Sequence, residues 1–114
     1  MINKIREIIM KEIKSHTDIP QSMKLAKILP FESADMFFPE NEEDVKRTWE
    51  LKGKPCWSLA ALLDVLPKIH KLKPILDLEE NSIQYSGTDI YVKADNPVDA
   101  CCELILKLHE LKML

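Results

Sequence analysis

The segment Asp95–Glu110, DNPVDACCELILKLHE, sets two thiols and an imidazole on one run of helical periodicity. Cysteine and histidine are the residue types of zinc sites and of cysteine nucleophiles, so spacing must decide whether Cys101, Cys102 and His109 carry chemistry. At 100° per residue, Asp99, Glu103, Lys107 and Glu110 form a polar arc, and His109 falls between the directions of Ile105 and Cys102. Cys102 and His109 are then separated by about 10 Å of helical rise. Two donors of one zinc ion lie only about 4 Å apart, so this pair cannot share a metal. The positions three or four residues from His109 are Ile105, Leu106, Lys112 and Met113, none of them a zinc ligand. A site completed by Cys56, His70 or His16 would lack the CxxC or HxxxH spacing that marks such centres.

Nucleophilic chemistry is disfavoured on electrostatic grounds. A reactive thiol wants a helix N-terminus or cations nearby, whereas Asp99 and Glu103 flank these two. Adjacent helical residues also point about 100° apart, a poor geometry for a disulfide. The expected role of both cysteines is interior packing, and His109 is expected to be partly buried against a backbone or carboxylate partner.

The elements that would position these residues follow from the rest of the chain. Its 114 residues are one domain's worth, and a formal charge of −3 offers no general attraction for nucleic acid or anionic lipid. No run reaches the roughly 18 apolar residues of a membrane span. Three cysteines without a secretory signal point to a reducing cytoplasm. The two glycines, Gly53 and Gly87, are too few for a phosphate-cradling loop, a dinucleotide fingerprint or a nucleophile elbow.

Ile2, Ile5, Ile9 and Ile13 predict an opening helix. Asp18 and Pro20 start a second, short one that Pro30 stops. SADMFFP reads as a short extended piece, and NEEDVKRTWELKG carries local helix signals from Asn41 to Gly53. Ser58 caps a helix striped by Leu59, Leu62, Leu63 and Leu66. Beyond Pro74 the period shortens, and PILDLEE, SIQYSG and TDIYVKA predict a three-stranded antiparallel meander. Asn96 and Pro97 then start the last helix. The expected fold is α+β, a single domain over residues 1–114, with several helices packed on that meander.

Three stretches, SADM at Ser33–Met36, PCWSLAALLDVLP at Pro55–Pro67 and ADNPVDACCELILKLHEL at Ala94–Leu111, resemble a group of small uncharacterised proteins encoded in bacterial prophages and mobile elements. The resemblance brings no activity, cofactor or catalytic residue with it. It implies a cytoplasmic accessory protein of a phage or integrated element. The part between Phe37 and Lys54 does not match the group, so the helix expected there rests on local signals alone.

With no catalytic constellation, no cofactor implied and no membrane segment, the leading expectation is a non-enzymatic module that binds a protein partner, phage- or element-encoded. Self-association stays open. The candidate surface is Met36, Phe37, Phe38 and Trp49, aromatic and apolar residues in weakly structured or charged segments, with a sheet edge packed under helices as the other reading of Met36–Phe38. The alternative is an enzyme or small-ligand binder with a pocket between sheet and helices, where at least two of Asp35, His70, Asp95 and His109 converge within hydrogen-bond reach. A third reading, weak nucleic-acid binding through the Lys68–Lys73 loop, lacks the interleaved aromatics of such sites.

Overall fold

In a computed structural model of the chain, residues 14–38, 46–47 (as backbone) and 54–114 are described. The expected helix at residues 2–13 and Trp49 lie outside the described residues. The fold is α+β: the described residues form three α-helices, one 3-10 turn and two antiparallel sheets.

Helix α1 spans Ile19–Ala26 and starts as its sequence predicts. Asp18 accepts from the Gln21 amide at 2.9 Å, and Gln21 reaches back to the Asp18 amide at 3.1 Å, a reciprocal capping box. A 3-10 turn at Phe31–Ser33 leads into strand β1, Met36–Phe38. Helix α2, Leu59–Val65, is capped by the Ser58 hydroxyl, which accepts from the Ala61 amide. Helix α3, Pro97–Glu110, begins at Asn96, whose side chain accepts from the Asp99 amide at 2.8 Å.

The expected meander forms from β4 (Ile75–Asp77), β5 (Ser82–Gln84) and β6 (Tyr91–Lys93), in that order. Its turns use residues that tolerate positive φ, Asn81 at 52° and Gly87 at 75°. Leu76, Ile83 and Val92 pair across the three strands and face the core. Against β5 and β6 packs α3, which also contacts α2 and α1. Val98, Cys101, Cys102, Leu104, Ile105 and Leu108 of α3 are all buried.

The meander is not the whole of the β-structure, and this corrects the expectation of helices on a single sheet. A second three-stranded sheet has the order β2-β1-β3, with β2 at Lys46–Arg47 and β3 at Lys54–Cys56. Met36 opposes Arg47 on one side and Cys56 on the other. The helix expected over residues 41–53 therefore gives way to a strand at Lys46–Arg47. Strand β1 offers a row of backbone donors and acceptors there, and such pairing overrides local helix propensity. The rest of that segment lies outside the described residues. Pro55, which has no amide to donate, sits in the edge strand β3, where that loss is tolerated.

Trp57 joins the sheet to the helices. It is fully buried, and its ring nitrogen donates to the Ser33 hydroxyl at 3.0 Å. Thr17, also fully buried, donates its amide to the Trp57 carbonyl at 2.9 Å, and its hydroxyl accepts the Trp57 amide at 3.1 Å. Ser22 hydrogen-bonds that same hydroxyl at 2.8 Å, so the polar atoms of this interior pair are satisfied.

Candidate functional site

The three cysteines are buried and unpaired as disulfides. Burial pushes the thiols of Cys56 and Cys101 up to about 12 and that of Cys102 to about 11, so none is a thiolate at neutral pH. His109, by contrast, is exposed, which corrects the expectation of partial burial. Every residue from His109 to Leu114 is exposed, because the last turn of α3 outruns the layer beneath it.

Asp35, His70, Asp95 and His109 are all exposed and do not form one pocket. Asp95 and His109 stand at opposite ends of α3, about 20 Å apart by helical rise. His70 occupies a tight turn at φ 52°. Asp35 is engaged structurally: it accepts the Ser58 amide at 2.9 Å and the Ser58 hydroxyl.

The structure brings one set of chemically suggestive residues together that spacing did not reveal. His16 and Ser58 are bridge partners, and Asp35 holds Ser58. The hydrogen bonds run the wrong way for a serine nucleophile, however. The Ser58 hydroxyl donates to Asp35 rather than to an imidazole, and it caps α2. His16 pairs through Nδ1 with the Ser15 hydroxyl at 2.8 Å, and its ring packs edge-on against Phe38. Burial, then nearby Lys14, lowers the His16 pKa. Among the described residues, no group of three or more His, Cys, Asp and Glu side chains is arranged to hold a metal.

A polar clamp ties the N-termini of α1 and α3 together. Asp99 accepts Lys14 at 2.7 Å, Gln21 at 2.8 Å and the Asn96 amide group at 2.9 Å. Lys14 also reaches Asp18 at 3.0 Å and Gln21 at 2.9 Å. Burial alone would raise the Asp99 pKa and lower that of Lys14. The hydrogen bonds and opposite charges win on both sides, so Asp99 falls below and Lys14 rises above its ordinary value. The clamp's groups are spent on one another, which marks it as structural.

The expected apolar surface is also relocated. Phe37 and Phe38 are 2 % and 7 % exposed, because β1 is the central strand of its sheet and the Phe38 side is covered by His16. Met36 is half-buried, and Trp49 lies outside the described residues. Among the described residues, large apolar side chains are exposed on α1 (Ile19, Met23), at Phe31, after α3 (Leu111, Met113, Leu114) and in and beside the meander. On the meander's outer face Ile75, Gln84 and Tyr91 form one exposed cross-strand row, and in the next, Asp77 and Lys93 are exposed on either side of a buried Ser82. Ile75 is 62 % and Tyr91 45 % exposed, with Leu72 and Leu78 exposed before and after β4. Lys93 reaches Glu80 at 3.0 Å, which raises its pKa, and Asp77 accepts the Glu79 and Glu80 amides.

On the other side of β4 a shallow groove of about 530 Å³ runs between that strand and α2. Ala60, Leu63, Asp64, Lys73, Pro74 and Leu76 line it. The Lys73 ammonium donates to the carbonyls of Leu63, Asp64 and Leu66, closing the C-terminal end of α2. That engagement leaves Lys68 and Lys71 as the exposed charges of the basic loop whose amines are not drawn into the helix end, a thin basis for phosphate binding.

No helix among the described residues is long and apolar enough to cross a membrane. The chain matches no protein-family model, no curated protein and no solved structure.

Proposed function

We propose that the chain is a non-enzymatic binding module, an accessory protein of a prophage or mobile element acting in the cytoplasm, that offers the outer face of its meander to a protein. One observation carries this reading: Ile75 and Tyr91, two strands apart on a regular sheet, hold large apolar side chains in water. Rigid β-strands present them at fixed spacing, so a partner loses little ordering entropy on this side of the interface. Aromatic and aliphatic anchors of this kind dominate interface energetics. The prophage setting rests on the resemblance of residues 33–36, 55–67 and 94–111.

The test is a photo-crosslinking amino acid placed at Tyr91 in cells that express the protein. The expected result is a covalent adduct with a protein, absent when the crosslinker replaces Glu103, which is exposed on α3. No adduct at position 91, or equal labelling at both, overturns the proposal.

The groove between α2 and β4 favours a second reading, a small apolar ligand held by Leu63, Pro74 and Leu76. Resonances of those residues would then shift on titration with fragments, while those of Ile75 and Tyr91 would not.

A further inference from the structure

We infer that the occupant of the meander's outer face is a second copy of this chain, packed face to face about a two-fold axis parallel to β5. This inference rests on the proposed docking role of that face and names its partner. The argument is the symmetry of the exposed side chains in the two rows: Ile75, Gln84 and Tyr91 in one, Asp77 and Lys93 in the other. Rotation about such an axis carries β4 of one copy over β6 of the other. Ile75 then meets Tyr91 of the partner subunit, and Asp77 meets Lys93 of the partner subunit, each contact occurring twice. The central position of the first row meets itself. Gln84 faces its own equivalent, and an amide both donates and accepts. Ser82, buried between Asp77 and Lys93 in its row, takes no part in the contact.

No row is left with like charges opposed, and the apolar pair lies beside the charged one. Aligned sheets pack about 10 Å apart with their strands within about 30° of each other, a spacing that isoleucine and tyrosine side chains fill. Lys93 is free to be shared, because its contact with Glu80 is an exposed pair of side chains 57 % and 60 % accessible. Asp77 is held at the strand end by the Glu79 and Glu80 amides, so its carboxylate is in place before a partner arrives.

Size sets the strength. Three strands about 4.8 Å apart and three residues long at about 3.3 Å each fall well short of the roughly 800 Å² per partner of a stable complex. The dimer is therefore weak and concentration-dependent.

Sedimentation equilibrium across a concentration series tests this with three variants. Asp77→Lys alone and Lys93→Asp alone each oppose like charges and weaken association by about tenfold or more. Mixed together, the two variants pair both swapped contacts, and association returns. Because Asp77 also caps a turn, Ile75→Glu serves as a variant that leaves every hydrogen bond of the fold intact, and it too abolishes the dimer. A wild-type chain that stays monomeric at millimolar concentration, or single variants whose mixture fails to associate, overturns the inference. Crosslinking at Tyr91 separates the two proposals: an adduct of twice the chain mass supports self-association. An adduct of another mass alone rejects self-association but keeps the binding-module reading.

Discussion

The two faces of the meander are one residue apart along each strand and differ in almost everything else. Leu76, Ile83 and Val92 face the core, and α3 packs on the strands of the last two, with Ile83 fully buried and Val92 8 % exposed. Their neighbours Ile75 and Tyr91 stand in water. A strand's side chains alternate, so the choice of which neighbour is structural is made by the element that covers the sheet. Here α3 makes that choice, and it makes it with a nearly continuous stripe from Val98 to Leu108. The inner face stabilises the fold; the outer one is left available.

Breaking the inner face has the largest effect. Ile83→Ala removes a fully buried side chain from beneath α3 and lowers unfolding free energy by about 2–5 kcal/mol. Urea denaturation followed by circular dichroism measures the loss. Thiol labelling gives an independent reading, because Cys101 and Cys102 react only when α3 leaves the sheet. Their labelling rate in the variant rises with the unfolded fraction.

Next comes the clamp that fixes α3 over that face. Asp99→Asn keeps the cap by Asn96, which uses the Asp99 amide, but loses the charge that draws Lys14. The expected cost is about 1–2 kcal/mol, discounted because both side chains are about one-quarter exposed. The pH dependence is specific. The depressed Asp99 pKa means its contribution is fully present above the ordinary value of 3.8 and is lost as pH falls through the lower folded value. The raised Lys14 pKa means its contribution is complete below 10.5 and is lost as pH rises through the higher folded value. In Asp99→Asn the acid-side component attributable to this carboxyl disappears from a stability–pH profile.

These contrasts also explain what could be read from the chain. The meander was legible because its signals are local: Pro74 before it, Asn81 and Gly87 in its turns, β-branched residues between. The caps at Asp18, Ser58 and Asn96 are local in the same way. The second sheet was not legible, since KPC and KR are too short to show alternation and their pairing joins Met36 to residues 11 and 20 positions away (47 − 36 and 56 − 36). The docking face escaped for a subtler reason. In a strand as short as YVK, nothing in the sequence says whether Tyr91 or Val92 faces inward until the position of α3 is known. Phe37 and Phe38, adjacent and aromatic in a weakly patterned stretch, fit a sheet edge under helices as well as an apolar surface until the pairing of β1 on both sides is known.

A smaller effect of opposite sign comes from the end of α3 that overhangs the layer. Lys112 adopts φ 59° where a glycine would be unstrained, and the Met113 and Lys112 amides close the helix on Leu108 and His109. Lys112→Gly is expected to stabilise by about 0.5–1 kcal/mol, seen as a raised midpoint at unchanged denaturant slope.

The smallest expected change in stability is at Ile75, and it is the sharpest measure of the contrast between the faces. Ile75→Ala removes as many carbon atoms as Ile83→Ala does, from the same sheet and a neighbouring strand. Because Ile75 is 62 % exposed, little apolar area returns to water when the chain unfolds, and the effect on stability is within about 0.5 kcal/mol. β-branched residues favour strands, so the residual cost is propensity rather than packing. A loss comparable to that of Ile83→Ala, in the same denaturation experiment at a concentration where the chain is monomeric, would mean that Ile75 is covered in the folded chain. The outer face would then be a second interior surface, with no room for a partner.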